Sequence, residues 1–167
     1  RAHMSNTPHF PLMIAGLSKS DAEKAEVYSP YNDQLIGTLD QANQADIDQA
    51  LETAHGLFRD RSKWLSTVER IDILEKAIAM MKDQADLLAA GAAEEGGKPL
   101  ADSNVEMARC IDSLRACVDV LRNDAPATIP MGINPASQHR LTMMRKEPIG
   151  VVVAISAFNH PLNLIAH

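Results

Sequence analysis

Apolar residues recur along this chain with more than one period, and each period predicts a different kind of element. Near the start, short apolar or alternating runs at Leu12–Ala15, Glu26–Tyr28 and Gln34–Leu39 flank Ser29-Pro30-Tyr31-Asn32-Asp33, whose Pro, Asn and Asp favour a turn. They predict small antiparallel strands. After Asp40 the spacing changes to three and four, through Ile47, Ala50, Leu51, Ala54, Leu57 and Phe58, with Asn43 placed to cap a first amphipathic helix. A second helix starts at Ser66-Thr67-Val68-Glu69, where hydroxyl and carboxylate have capping-box spacing. Ile71, Leu74, Ile78, Met81, Ala85 and Leu88 form its stripe. Gly96-Gly97 followed by Pro99 should end it, because glycine suits the left-handed residue after a helix. A third helix is expected from Ser103-Asn104-Val105-Glu106, another capping-box spacing, burying Ala108, Ile111, Leu114, Val118 and Leu121.

Three prolines and a glycine between Asp124 and Pro135 break the regular pattern and mark the main boundary. Beyond it, Arg140–Lys146 reads as a partly exposed strand. Gly150–Ser156 is β-branched and apolar on both faces, as expected of a strand in the centre of a parallel sheet. Such a strand needs a neighbour on each side and helices on both faces. The eleven residues after Ser156 cannot supply them, so the domain reads as unfinished, with exposed edges that predict aggregation or association with another chain.

Composition narrows the function classes. Sixteen basic against twenty-two acidic side chains leave a formal charge of -6, without a Lys/Arg cluster, which disfavours nucleic acid and anionic membranes as partners. The longest apolar run, Ile149–Ile155, is far short of the ~20 residues that span a bilayer, and the start lacks a secretory pattern, so a cytoplasmic protein is expected. Arg1-Ala2-His3 ahead of Met4 reads as an expression-tag remnant. Cys110 and Cys117 lie in a helical stripe and are expected as small buried apolar residues rather than a disulfide or a nucleophile. His55, His139, His160 and His167 lack paired metal spacing, so no metal site is expected. Gly96-Gly97-Lys98 lacks the Ser/Thr and the preceding strand of a phosphate loop and reads as a helix end.

The candidate chemistry sits after the Gly150–Ser156 strand, because open α/β sheets place ligands at the carboxyl ends of their strands. An asparagine amide at Asn159, in a turn stiffened by Pro161, can donate to an oxygen that becomes negative when a carbonyl is attacked. An isolated Asn-x-Pro would more simply satisfy a turn backbone. Here the surrounding run from Glu147 to Leu162, Glu-Pro-Ile-Gly-Val-Val-Val-Ala-Ile-Ser-Ala-Phe-Asn-His-Pro-Leu, resembles the E-P-x-G-V-V-x-x-I-x-P-[WF]-N-x-P-L signature of the aldehyde dehydrogenase superfamily. Val27–Asp33 is similar to that family's V-x-N-P-x-T-G-E hairpin, and Glu94-Glu95-Gly96-Gly97-Lys98-Pro99 to its E-x-G-K-P helix end, in the same order and spacing.

The resemblance implies an α/β fold: the N-terminal portion of a modified Rossmann cofactor domain, with small N-terminal strands, three amphipathic helices and a β-arm that pairs subunits. Residues 4–126 would belong to the cofactor domain, 127–148 to the arm, and 149–167 to the first strand and turn of the sheet. It implies NAD- or NADP-dependent oxidation of a small aldehyde to its acid through a cysteine thiohemiacetal, in a homodimer or homotetramer. Asn159 would be the oxyanion donor, and Ile155, Ser156, Ala157 and Phe158 would line the nicotinamide-ribose side of the cofactor. Ala157 stands where the family usually has proline, and Phe158 where tryptophan is common. The family's nucleophilic cysteine, glutamate base and adenosine-binding residues lie beyond His167, so the 167-residue chain alone is expected to be inactive. The alternative is a non-catalytic remnant or assembly module of the same fold. In branches that oxidise small anionic aldehydes, an arginine of the third helix can face the substrate, which makes Arg109 a candidate beside the simpler reading of an Glu106–Arg109 pair within the helix. The wording Phe158-Asn-His-Pro-Leu-Asn163 is similar to the lactaldehyde, glyceraldehyde-3-phosphate and phosphonoacetaldehyde branches.

Overall fold

The computed structural model describes residues 7–19 and 22–167; residues 1–3, expected as a tag remnant, and Met4 lie outside them. Seven short strands and five helices follow in the order β1 (His9–Phe10), β2 (Met13–Ile14), β3 (Leu17–Ser18), β4 (Glu23–Tyr28), β5 (Leu35–Gln41), α1 (Gln44–Arg59), α2 (Thr67–Asp83), α3 (Ala85–Gly96), α4 (Leu100–Asn123), β6 (Ala127–Ile129), β7 (Thr142–Met144) and α5 (Asn163–Ala166). The expected N-terminal hairpin is β4 paired antiparallel with β5, but β1 joins the other edge of β5 in parallel, and β2 and β3 form a separate antiparallel pair. Mixed α/β architecture with small sheets matches the expected fold class.

The caps explain where the first helices begin. Asn43 accepts the Asp46 N–H at 3.1 Å while Asp46 reaches back to the Asn43 N–H at 3.0 Å. Ser66 and Glu69 repeat the box, with the Ser66 N–H donating to Glu69 at 2.8 Å. The second helix is not continuous. Gln84 (φ -109°, ψ 15°) leaves helical geometry and splits it into α2 and α3, both of which pack on α4, so four principal helices stand among the described residues where three are expected.

The core sits between these helices. Ile78, Met107, Ile111 and Val118 are its buried centre, and every expected stripe residue of the second helix, Ile71, Leu74, Met81, Ala85 and Leu88 around Ile78, packs there. Gly97 ends α3 in the left-handed region at φ 63°, as its position predicts. A Cβ there would also lie 2.8 Å from Pro30 Cγ, so the helix end closes directly on the β4–β5 turn. Gly97→Ala is therefore expected to cost about 1–2 kcal/mol for the left-handed backbone alone, more with the clash, measurable by urea unfolding.

Two expectations fail here for definite reasons. The third long helix, α4, starts at Leu100 rather than Ser103. Gly97 ends α3, and the N–H groups of Asp102 and Ser103 already donate to the Pro99 carbonyl at 3.1 and 3.2 Å, so Ser103 lies within the helix. Its buried stripe runs through Ser103, Glu106, Met107, Cys110, Ile111 and Val118, and Ala108 faces out. The segment Gly150–Ser156 forms no strand. It pairs with none of the described strands, and Val152, Val153 and Ile155 are 70%, 75% and 91% exposed, because the neighbours such a sequence needs are not among the described residues. The apolar stripe of α1 is likewise half-open at Ile47, Leu51 and Leu57. Exposed apolar surface of this kind favours association. Light scattering of the 167-residue chain is expected to show oligomers or aggregates, and a monodisperse monomer would contradict that.

β6 and β7 form an exposed antiparallel hairpin, pairing Ala127 with Met144 and Ile129 with Thr142. No helix among the described residues is long and apolar enough to cross a membrane, and no cluster of three or more His, Cys, Asp or Glu there could hold a metal ion.

Candidate functional site

α4 builds the site because its spacing brings Glu106, Cys110 and Ser113 onto one face at i, i+4 and i+7. All three meet the turn that follows Asn159. Glu106 Oε1 accepts the N–H groups of Leu162 at 2.7 Å and Asn163 at 3.0 Å. The Cys110 thiol donates to the Leu162 carbonyl at 3.2 Å, and the Ser113 hydroxyl to Asn163 Oδ1 at 3.3 Å. Lys98, just past the α3 end, pairs with Glu106 Oε2 and donates to the Asn159 carbonyl at 3.3 Å.

Glu106 is 1% exposed. Burial pushes its carboxyl up, but the Lys98 ammonium and the Asn163 and Leu162 N–H groups outweigh burial and hold it below the ordinary glutamate range. His160 Nδ1 stands 3.7 Å from the same carboxylate. Burial, with the Glu106 charge beside it, pushes the Cys110 thiol up, so the expected structural role of this cysteine fits its surroundings. Cys117 is exposed, contrary to expectation, because residue 117 falls on the outer face of α4.

Beside the turn lies a cavity of about 460 Å³, walled by Lys98, Asp102, Glu106, Arg109, Asn159 and His160 among others. The structure thus brings two sequence candidates, Asn159 and Arg109, to one cavity. The Asn159 backbone is held through its carbonyl, whereas its side-chain amide donates to no group among the described residues. Arg109 makes no ion pair among the described residues. The alternative Glu106–Arg109 pair is not formed, since Glu106 is taken by Lys98 and the backbone beyond Asn159. Ile155, Ser156, Ala157 and Phe158 do not line this cavity; they form the extended segment leading to it, with Ile155 and Phe158 each 91% exposed.

Sequence reasoning missed Lys98, Glu106, Cys110 and Ser113 as parts of one arrangement. A signal existed: Glu106 lies in phase with the buried stripe, one residue before Met107 and four before Cys110. A carboxylate in such a stripe requires buried partners.

Comparison with known proteins bears on the family of the chain. The family model described as "Aldehyde dehydrogenase family" matches residues 17–167. The 3-sulfolactaldehyde dehydrogenase of Priestia megaterium is 27% identical over 164 residues, covering 98% of this chain and 34% of that protein. Aldehyde dehydrogenase 21 from Physcomitrella patens, solved with the reaction product succinate, superposes with a TM-score of 0.88 at 27% identity, over 95% of this chain and 33% of that one. The glyceraldehyde-3-phosphate dehydrogenase of Methanocaldococcus jannaschii, complexed with NADP, gives 0.76 at 29% identity, over 90% and 31%. The chain spans about a third of the length of the relatives it matches. With its helix end, its asparagine turn and 151 of 167 residues inside the family match, the chain belongs to the aldehyde dehydrogenase family.

Proposed function

We propose that this chain is the N-terminal third of an NAD(P)-dependent aldehyde dehydrogenase that oxidises a small anionic aldehyde to its carboxylic acid, with Asn159 as oxyanion donor. One observation carries the reading: Asn159 borders a cavity with its backbone tethered and its amide uncommitted. A donor aimed in advance at the place where charge develops is what carbonyl attack requires. When a thiolate adds to the aldehyde carbon, the C=O electron pair moves onto oxygen, and the Asn159 N–H groups would donate to that oxygen.

The thiolate is not Cys110, whose burial and neighbouring carboxylate disfavour ionisation. The nucleophile and the glutamate base that activates water are assigned to the part of the complete polypeptide beyond His167, as the family resemblance implies. Ile155, Ser156, Ala157 and Phe158 would line the nicotinamide-ribose side of the cofactor. Ile155 and Phe158, each 91% exposed, leave apolar surface there for the ring to cover. NAD or NADP, when bound, supplies the hydride acceptor. The NADP complex of the Methanocaldococcus relative supports a dinucleotide here. The β6–β7 hairpin is the arm through which a homodimer or homotetramer would pair, with residues 4–126 as the leading part of the cofactor domain.

Arg109 supplies the anionic selectivity. Its guanidinium borders the cavity without a carboxylate partner, and the Priestia and Methanocaldococcus relatives are named for a sulfonated and a phosphorylated aldehyde. In the complete polypeptide, Arg109→Ala is expected to raise KM for glyceraldehyde 3-phosphate about tenfold or more, the worth of one charge-assisted contact, and to leave KM for a neutral aldehyde of similar size unchanged. Equal changes for both aldehydes would remove Arg109 from the site.

A further inference from the structure

A carboxylate that is 1% exposed inside a helix face is costly, and an apolar residue of similar volume would often leave a fold as stable or more so. Stability therefore does not account for Glu106. Its partners do. One oxygen takes two consecutive backbone N–H groups, Leu162 at 2.7 Å and Asn163 at 3.0 Å, while the other takes Lys98. Two adjacent donors on one acceptor fix the orientation of the chain as well as its distance. Lys98 then bridges to the Asn159 carbonyl at 3.3 Å, so the turn is tied on both sides of Pro161, whose ring limits the backbone between them.

We propose that Glu106 and Lys98 are a positioning pair that fixes the Asn159 turn and thereby aims its side-chain amide at the reacting oxygen. This rests on the reading of Asn159 given above. The pair acts through the backbone of the turn, at the Asn159 carbonyl and the Leu162 and Asn163 N–H groups. Cys110 and Ser113, on the same face of α4, hold the Leu162 carbonyl and the Asn163 side chain and extend the same grip. Errors of about 1 Å in such a donor lower rates by up to about a hundredfold, which sets the scale of the expected effect.

The test has two arms. In the complete polypeptide, hydrogen–deuterium exchange read by mass spectrometry should show the Leu162 and Asn163 amides exchanging about tenfold or more faster in Glu106→Leu, with α1 unchanged. In the complete polypeptide, Glu106→Leu should lower kcat per titrated active site about 10- to 100-fold, with KM for aldehyde and nicotinamide cofactor within about twofold. Lys98→Met should fall in the same direction, and Lys98→Arg, which keeps the charge and donors, should recover most of the loss. A merely structural role would reduce the number of active sites and leave kcat per site intact. Unchanged exchange at residues 162 and 163, or a normal kcat per site in Glu106→Leu, would overturn the proposal. A wild-type polypeptide without turnover would instead overturn the reading of Asn159, and the exchange arm would still decide whether Glu106 holds the turn.

Discussion

Asn159→Ala in the complete polypeptide is expected to lower kcat by about 10²–10³-fold, the usual loss when one preorganised oxyanion donor is removed. KM for the aldehyde should change little, because the bond it supplies strengthens only as the carbonyl oxygen becomes negative. The structure makes the substitution a clean one. Asn159 is exposed, its side chain bonds to no described residue, and the turn is held by the Asn159 carbonyl and by the N–H groups of Leu162 and Asn163, all of which alanine leaves in place. Folding should therefore be untouched, and circular dichroism of the variant should overlay on wild type. A loss of folded protein in place of a loss of kcat would mean that Asn159 merely completes the turn, the role an isolated Asn-x-Pro commonly has.

The largest expected effect on stability comes from Lys98→Met. Removing the cation strands a nearly fully buried carboxylate, and breaking such a pair from one side costs about 3–5 kcal/mol. The lower end of that range applies, since Glu106 keeps its two N–H donors. The cost should largely disappear in a Glu106→Leu background, so a double-mutant cycle in urea separates the pair from the packing of the lysine stem. The pH dependence has a fixed sign. The folded carboxyl is held below its unfolded value of about 4.3, so its stabilisation is fully present above that pH and is lost as the pH falls through the folded value. Wild type should weaken on acidification in this window, and Glu106→Leu should lack that part of the loss. The charged and titratable groups that face Glu106 are Lys98, His160 and Cys110.

What could be read from the sequence was local. Asn43 and Ser66 announced their helices because a cap is a contact between residues three apart, and the stripe from Ile71 to Leu88 found the core because helix period alone decides which side chains share a face. Ser103-x-x-Glu106 has the same spacing and misled, since its meaning depended on Pro99 having already opened the helix. Gln84 interrupts the second helix without a proline or glycine to signal it, in a place where two segments turn to pack on α4. Val151–Ile155 carries the composition of a buried central strand, yet a strand is a property of its neighbours, and none of the described residues offers it a partner. The site divided in the same way. Asn159 and Arg109 were legible as residue types in a familiar context, and they do meet at one cavity. The support beneath them was not legible, because the bonds from Glu106 and Cys110 to Leu162 cross more than fifty residues of chain.

The central claim, that the groups completing this site are supplied by the rest of a longer enzyme, is tested most directly by one paired assay. The 167-residue chain and the complete polypeptide are given NAD or NADP with glyceraldehyde 3-phosphate, and formation of the reduced nicotinamide is followed by absorbance. Steady turnover is expected of the complete polypeptide and none of the 167-residue chain. Turnover by the short chain alone, or no turnover by the complete one with any small anionic aldehyde, would contradict the claim.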